Sequence, residues 1–339
     1  MSSRNIEITE NVPVFDENRS FSNAGFARKP LFVYNREKSG RLHAQIKEWD
    51  YYLVMNDQIG AAFTLSDLGY IRMASVSFLN FETHKEVTRT VLKAPAMSFT
   101  LPASPVQGVS EFRSGDLLLR FEAAPNGRHV YCEFKNFYNR SDFKADLWFT
   151  DLPEESMNIL TPFADGKHFY LNQKMNCMPC SGKIVFNWHV YHFNPQLDLA
   201  VLDWGRGFWP YDITWYWATA SGFVNNRPFG LNLGYGFGDT SRASENVVYY
   251  NGRVHKLDDV TFLIPDDPMN PWTITSSDGR FEAVFAPDLD RAADIKAGPV
   301  RSDQHQYFGI LNGRCILDDG KILTIEQLRT AIEVVHNRY

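Results

Sequence analysis

Short segments of alternating apolar and polar residues fill most of the chain, and a turn signal separates each segment from the next. Residues 75–81, 117–121 and 129–134 are strand-like in this way, and Pro125-Asn126-Gly127 lies between the last two. Strands that recur about every ten residues are typical of a β-sandwich or β-barrel. We therefore predict an all-β protein.

Hairpin signals are clearer in the second half of the chain. Asn251-Gly252 is the dipeptide most typical of a two-residue hairpin turn, and it lies between residues 247–250 and 253–257. Residues 183–193 form one long strand candidate. Two further turns, at 277–279 and 318–320, join residues 272–275 to 280–285 and residues 313–317 to 321–323.

The end of the chain carries a helical pattern instead. Thr324 and Gln327 have the spacing of a capping box. We predict an α-helix over residues 324–337, whereas residues 40–52 fit a short helix and a strand equally well. The helix prediction depends on an apolar stripe made of Ile325, Leu328, Ile332 and Val335.

No low-complexity linker divides the chain. The best boundary lies near residues 162–166, with an all-β unit on each side. We predict an N-terminal barrel-like domain over residues 1–172 and a C-terminal one over residues 173–339 that includes the terminal helix. The two halves show no residue-level repeat.

Composition and charge exclude several classes of function. The 339 residues carry 34 basic and 40 acidic groups, a net charge of -6, which argues against nucleic-acid binding and against a polybasic membrane anchor. No apolar run approaches the roughly 20 residues of a membrane helix, so we expect no membrane insertion. The start of the chain lacks a secretory signal and the cysteines number only 4, so we expect a cytoplasmic, reduced protein.

Aromatic content is the unusual feature of the composition. The chain has 26 Phe, 15 Tyr and 8 Trp. Such side chains bury large areas and line pockets. They predict a large apolar interior that binds a small hydrophobic ligand. The sequence predicts no oligomeric state.

Two motifs suggest a metal or a nucleotide, but their surroundings favour neither function. Cys177 and Cys180 form a C-x2-C pair, but His189 and His192 follow at spacings that do not match a zinc finger. Three alternate glycines at 234, 236 and 238 resemble a phosphate loop, but no helical pattern follows them. We predict no metal and no cofactor, and we assign no role to the cysteine pair.

The densest group of candidate functional residues lies at 200–217, where four tryptophans fall close together. Asp203 ends a row of apolar residues that share one strand face. Burial would raise the pKa of Asp203 and suit it to act as a general acid, whereas Arg206 would lower it. The alternative is a structural ion pair between Asp203 and Arg206, with the tryptophans in the core.

A second group follows this tryptophan block. Asn232 shares its strand face only with glycines, which leaves space beside it of the kind that a ligand cavity needs. Glu245 and Asn246 begin the next strand after a polar loop. All three point into a cavity under one interpretation, and contact a neighbouring strand or cap a turn under the other.

These residues resemble a known bacterial family, the domain of unknown function 2804. The likeness runs from about residue 20 to the end, and the Cys177-x2-Cys180 pair departs from it. A more distant similarity, in the order Asp, Gly and Trp-x-Trp, links the chain to the carotenoid hydratase (hydroxyneurosporene synthase) and lipocalin-like group. The segments that carry the family resemblance are 47–51, 67–70, Lys174 ahead of Gly182, 202–210, 215–218, 221–222, 230–234, 245–246, 251–252, 271–272, 306–309 and Gly313.

The resemblance implies two consecutive lipocalin-like (calycin-type) β-barrels or sandwiches. It assigns no activity, although the distant group includes enzymes that protonate or cyclise isoprenoid double bonds without a cofactor. The function we predict is non-catalytic binding of a lipid- or isoprenoid-like molecule in an aromatic cavity. The alternatives are a cofactor-independent hydratase or cyclase, and a protein that binds or cleaves carbohydrate.

Each candidate residue has an expected role under these hypotheses. Asp203 is the expected acid of a catalytic site, and Glu245 is its reserve. The expected ligand-binding residues are Lys174, Arg206, Trp209, Trp215, Trp217, Asn232 and Asn246.

Overall fold

Alternating apolar and polar residues form strands almost throughout the computed structural model, which describes residues 4–42, 45–94, 99, 101–297 and 300–338. A 3-10 helix lies at Arg36–Leu42. The strands of the first half are β1 Val12–Pro13, β2 Gly25–Ala27, β3 Phe32–Val33, β4 Lys47–Met55, β5 Ile59–Asp67, β6 Arg72–Asn80, β7 Lys85–Lys93, β8 Gly108–Ser114, β9 Leu117–Ala124, β10 Gly127–Tyr138, β11 Ser141–Thr150 and β12 Met157–Pro162.

The strands of the second half are β13 Phe169–Phe186, β14 His189–Phe193, β15 Leu199–Phe208, β16 Asp212–Val224, β17 Arg227–Tyr235, β18 Val247–Tyr250, β19 Arg253–Lys256, β20 Val260–Leu263, β21 Trp272–Ser276, β22 Phe281–Ala297, β23 Val300–Ile316 and β24 Ile322–Arg338.

These strands form two large sheets that curl into barrel-like shapes. The first sheet runs in the order β7-β6-β5-β4-β15-β13-β11-β10-β9-β8. β12 and β14 also pair with β13, and β2 pairs with β12. The second sheet runs β19-β18-β17-β16-β24-β23-β22-β21-β20. β1 and β3 form a separate parallel pair. The all-β prediction with two consecutive barrel-like sheets is confirmed.

Each sheet encloses an apolar core, and a third apolar cluster joins the two sheets. Phe63 and Leu202 lie in the first core, whereas Trp272 lies in the second. The third cluster packs Tyr51, Leu53 and Val201 of the first sheet with Trp217, Phe308 and Ala331 of the second, among others. The outer faces of the two sheets are therefore buried against each other.

The predicted C-terminal helix is wrong, because residues 322–338 form the strand β24. β24 pairs with β23 along most of its length and with β16 over residues 330–338, so neighbouring strands provide its backbone hydrogen bonds in these stretches. Gln327 has a φ of 52°, and the register with β23 shifts at this point. This bulge lets Ile325 and Leu328, three positions apart, face the same core. A bulged strand thus imitates the spacing of a helix.

Other local predictions have mixed outcomes. The predicted turns at 125–127, 251–252, 277–279 and 318–320 all join paired strands. Residues 183–193 are a hairpin rather than one strand, because Asn187 and Trp188 turn the chain at positive φ. Residues 40–52 contain both the end of the 3-10 helix and the start of β4.

The domain boundary between residues 172 and 173 stays a prediction. The change from the first sheet to the second lies farther along the chain, between Phe208 and Asp212. Among the described residues, no helix has the length and apolar character needed to cross a membrane.

A bulge in β13 connects the two sheets by hydrogen bonds. The register of β13 with β15 shifts between Met175 and Met178, and Cys177 has a φ of 63°. Asn176, which is 0% exposed, donates from Nδ2 to Thr219 Oγ1 at 2.9 Å, to the Ala220 carbonyl at 2.8 Å and to the Leu231 carbonyl at 2.9 Å. The side-chain amide of Asn176, in the first sheet, therefore donates to acceptors on two strands of the second sheet.

We predict that Asn176→Ala lowers the free energy of unfolding by about 1–3 kcal/mol, because it leaves buried acceptors without a donor. Urea denaturation of the full chain measures the change. Asn270→Ala, at an exposed position, is the matched control and should shift stability by less than about 0.5 kcal/mol. Equal losses in the two variants would contradict this role of Asn176.

Candidate functional site

The candidate functional residues separate onto two faces of β15. Asp203 lies on the face that meets the second sheet, whereas Arg206 lies on the face that lines the interior of the first sheet. Asp203 pairs instead with Lys174, and Arg206 with Glu48 and Asp50. The predicted alternative of a structural ion pair between Asp203 and Arg206 is wrong. Successive strand residues point to opposite faces, so two residues three positions apart lie on opposite sides of the sheet.

Two residues of β13 contact the carboxylate of Asp203. Lys174 Nζ lies 2.7 Å from Asp203 Oδ2, and Asn172 Nδ2 donates to Asp203 Oδ1 at 2.6 Å. All three residues are at least nine-tenths buried. The Lys174 ammonium also lies 4.1 Å from the centroid of the Trp217 ring. This ion pair is therefore fixed between the sheets.

A chain of hydrogen bonds continues from Trp217 into the second sheet. Trp217 Nε1 donates to Asn232 Oδ1 at 2.7 Å, and Asn232 Nδ2 donates to Glu245 Oε2 at 3.1 Å. Asn232 is 0% exposed, so its amide is fully committed to these neighbours and to the Glu245 carbonyl. Burial raises the pKa of Glu245 above its usual value, although Lys174 opposes that shift.

Glu333, which the sequence analysis did not single out, lies in the same space. It is in β24 opposite Trp217 of β16, and Gln306 Nε2 donates to its Oε1 at 2.7 Å. Burial raises the pKa of Glu333 to about 7, against the opposing effect of Arg291. The predicted helix hid this residue, because a helical reading places Glu333 on a polar surface. The four acidic and basic groups Lys174, Asp203, Glu245 and Glu333 are called the interface cluster below.

Aromatic rings border the interface cluster towards the start of β4. Trp49 stacks on Tyr170 with ring centroids 6.1 Å apart and meets Trp209 edge-on at 5.6 Å. The Phe237 ring centroid lies 5.3 Å from that of Trp209 and 5.4 Å from that of Trp215. Tyr170 of β13, Trp209 of the β15–β16 connection and Trp215 of β16 therefore all contact the ring of one loop residue, Phe237. The predicted ligand-binding residues Trp209, Trp215 and Trp217 lie within this group.

Side chains of neighbouring elements fill the space that the glycines beside Asn232 leave open. A Cβ at Gly234 would lie 2.7 Å from Glu245 Oε1, and one at Gly230 would lie 2.9 Å from Cys177 Sγ. A Cβ at Gly205 would lie 2.0 Å from the Trp49 ring. The small residues therefore admit side chains of the facing elements at these positions.

Arg206 and Asn246 have structural partners outside the interface cluster. Arg206, 0% exposed, donates to Asp50 Oδ1 at 3.0 Å and to the Pro102 carbonyl at 2.8 Å. Its guanidinium lies 4.0 Å from the Trp204 ring centroid. Asn246 accepts from the Gly234 amide at 2.7 Å. These two residues fix the first barrel's interior and the β17–β18 connection, respectively.

The cysteine pair lies apart from the two histidines that follow it. Cys177 and Cys180 are buried, and burial raises the pKa of both thiols. His189 and His192 are exposed on β14. Within the described part of the chain, no group of three or more His, Cys, Asp and Glu side chains is arranged to hold a metal ion.

Comparison with known proteins identifies a family and a fold. The model of the family described as Domain of unknown function (DUF2804) matches residues 5–339. No curated protein matches the chain.

Among solved structures, CghA with Sch210972 is similar at a TM-score of 0.59 and 8% identity, over 86% of this chain and 88% of that chain. A protein from Nitrosomonas europaea assigned as an AttH is similar at a TM-score of 0.53 and 13% identity, over 89% and 95%. Kievitone hydratase from Nectria haematococca has a TM-score of 0.45 and 10% identity, over 86% and 88%. The likeness to the first two shows the shared fold.

We predict that Lys174→Met lowers the free energy of unfolding by about 3–5 kcal/mol, because it leaves the Asp203 carboxylate buried without its cation. The double variant Lys174→Met/Asp203→Asn should recover much of that loss, since it removes both charges. Denaturant unfolding of the two single variants and the double variant measures the coupling. Strictly additive losses would contradict a buried, mutually dependent pair.

Proposed function

The chain belongs to the DUF2804 family, and for this member we propose the binding of an apolar small molecule between the two sheets, beside the interface cluster. One observation carries the proposal. Trp49, Trp215, Glu245 and Glu333 keep part of their surface accessible although they lie between the sheets. Accessible indole and carboxyl surface at this depth is what a recess for a mainly apolar ligand with one or two polar groups requires.

The walls of this recess match such a ligand. Trp49, Tyr170 and Phe237 supply large apolar faces. Glu245 and Glu333 supply the polar groups, and both are held by amide donors from Asn232 and Gln306. A ligand there would replace water at the rings and meet a fixed set of donors and acceptors. In this proposal Trp215 lines the recess, as the sequence suggested. Lys174 and Trp217 are buried and form the layer behind its wall, whereas Arg206 supports the fold.

Acid catalysis without a cofactor is the second candidate function. A general acid works best when its pKa lies near the working pH, and burial places the pKa of Glu333 at about 7. Asp203, already paired with Lys174 and Asn172, would hold the site's geometry, and Glu245 would serve as a second proton carrier. Asp203→Asn should then reduce turnover while a ligand still binds, once a substrate is identified.

Carbohydrate binding is the third alternative, and the structure favours it least. Sugar stacking uses exposed rings in an open groove. Trp209 and Trp217 are only 5% and 4% exposed. The two tryptophans therefore offer little surface to a glycan.

We predict that the full chain binds the neutral apolar fluorophore N-phenyl-1-naphthylamine, and that Trp215→Ala weakens its affinity about tenfold, because one wall of the recess is lost. Fluorescence titration measures the affinity, and mass spectrometry of organic extracts of the purified protein identifies any natural ligand. Trp188→Ala is the matched control, since Trp188 is 96% exposed on the β13–β14 turn. Equal effects of the two variants, or absence of binding by the native protein, would contradict the proposal.

A further inference from the structure

The interface cluster and its surroundings hold more acids than bases. Glu333 feels the charges of Asp203, Lys174 and Arg291, and Glu245 feels those of Lys174 and Asp203. Three carboxyl groups therefore share the space between the sheets with the basic side chains of Lys174 and Arg291. If every group were ionised, one negative charge would remain without a counter-charge.

Lys256 does not remove this excess, although it also acts on Glu245. Its ammonium already donates to Ser244 Oγ at 2.8 Å, to the Asn246 carbonyl at 2.9 Å and to the Leu257 carbonyl at 2.8 Å. The charge that acts on it most strongly is the Asp258 carboxylate, which balances it from outside the cluster. The excess negative charge therefore stays between the sheets.

An uncompensated charge in a desolvated site is removed by protonation. At Asp203 both carboxylate oxygens already have partners, because Oδ2 lies 2.7 Å from Lys174 Nζ and Oδ1 accepts from Asn172 Nδ2 at 2.6 Å. Within the described part of the chain, the donors that contact Glu333 are Gln306 at 2.7 Å and the Trp215 indole, and both are neutral. The proton is therefore best accommodated on Glu333.

The groups that face Glu333 come from every neighbouring strand. They are Tyr51 of β4, Lys174 of β13, Asp203 of β15, Trp215 of β16, Arg291 of β22 and Gln306 of β23. Burial raises the pKa of the Tyr51 phenol to about 12, so it stays neutral in the physiological range. Burial raises the pKa of Glu333 itself to about 7, so this carboxyl group can gain and lose a proton in the physiological range.

We propose that Glu333 carries a proton in the free protein below about neutral pH and donates it in a hydrogen bond to an oxygen acceptor of the bound molecule. The site would then select neutral apolar molecules that bear a carbonyl or ester oxygen over those that bear a carboxylate. The selectivity rests on the proposed binding function, whereas the proton is a property of the protein without any ligand.

Infrared difference spectroscopy tests the proton directly. The native protein at pH 6 should show the carbonyl stretch of a protonated carboxyl group, shifted in D2O and lost by pH 8. Glu333→Gln should abolish this band. Glu326→Gln, at an exposed position of the same strand, is the matched control and should keep it. A native protein without the band, or a band that survives in Glu333→Gln, overturns the proposal.

Two matched fluorescent probes test the selectivity. Methyl cis-parinarate should bind about tenfold more weakly at pH 8 than at pH 6, because a group with a pKa of about 7 is mostly protonated at the lower pH and mostly ionised at the higher one. The free acid, cis-parinaric acid, should bind more weakly than the ester at both values. In Glu333→Gln the affinity for the ester should not depend on pH.

The outcomes separate the two proposals. If neither probe binds but the band behaves as expected, the binding function fails and the protonated Glu333 stands. If both bind with no pH dependence and the band persists in Glu333→Gln, the proton on Glu333 is refuted while the binding function survives. Should Glu333→Gln fail to fold, the pH dependence of the native band and of ester binding decides alone.

Discussion

The fold depends on burying the outer faces of two curled sheets against each other. A β-barrel normally exposes that face to water, so polar residues are expected there. Here each polar side chain on the contact face must find its partner in protein. Asn176 donates to two strands of the opposite sheet, and Lys174 neutralises Asp203. These contacts stabilise the interface and concentrate ionisable groups where water is scarce, which is the setting that perturbs pKa values.

Alternation along each strand explains how one chain segment serves two purposes. On β15, Leu202 and Arg206 face the first barrel's interior, whereas Val201 and Asp203 face the second sheet. Every residue of the strand except Phe208 is buried as a result. Two separate charged groups arise from neighbours in sequence: an internal one around Arg206 and an interfacial one around Asp203.

The sequence was sufficient for most of the strands and for the burial of most of the tryptophan block, because both depend on local alternation and composition. The same alternation predicts that Asp203 and Arg206 lie on opposite faces of the strand. It does not predict their partners, because Lys174, Glu48 and Asp50 come from strands distant in sequence. Glu333 was missed for a different reason. The bulge at Gln327 shifts strand parity by one position, and the resulting three-residue spacing is indistinguishable from a helical turn in the sequence. Only long-range pairing with β16 and β23 decides between the two.

β13 belongs to both halves of the molecule in a way that constrains their history. It pairs with β11, β12, β14 and β15 while its Lys174 and Asn176 reach the second sheet. Neither barrel can therefore change its shape at this strand independently of the other. Relatives that descend from the same ancestor should diverge freely at the far rims of the barrels and only in compensating pairs along this seam. If the two barrels arose by duplication, they could no longer evolve independently once this strand made contacts with both sheets.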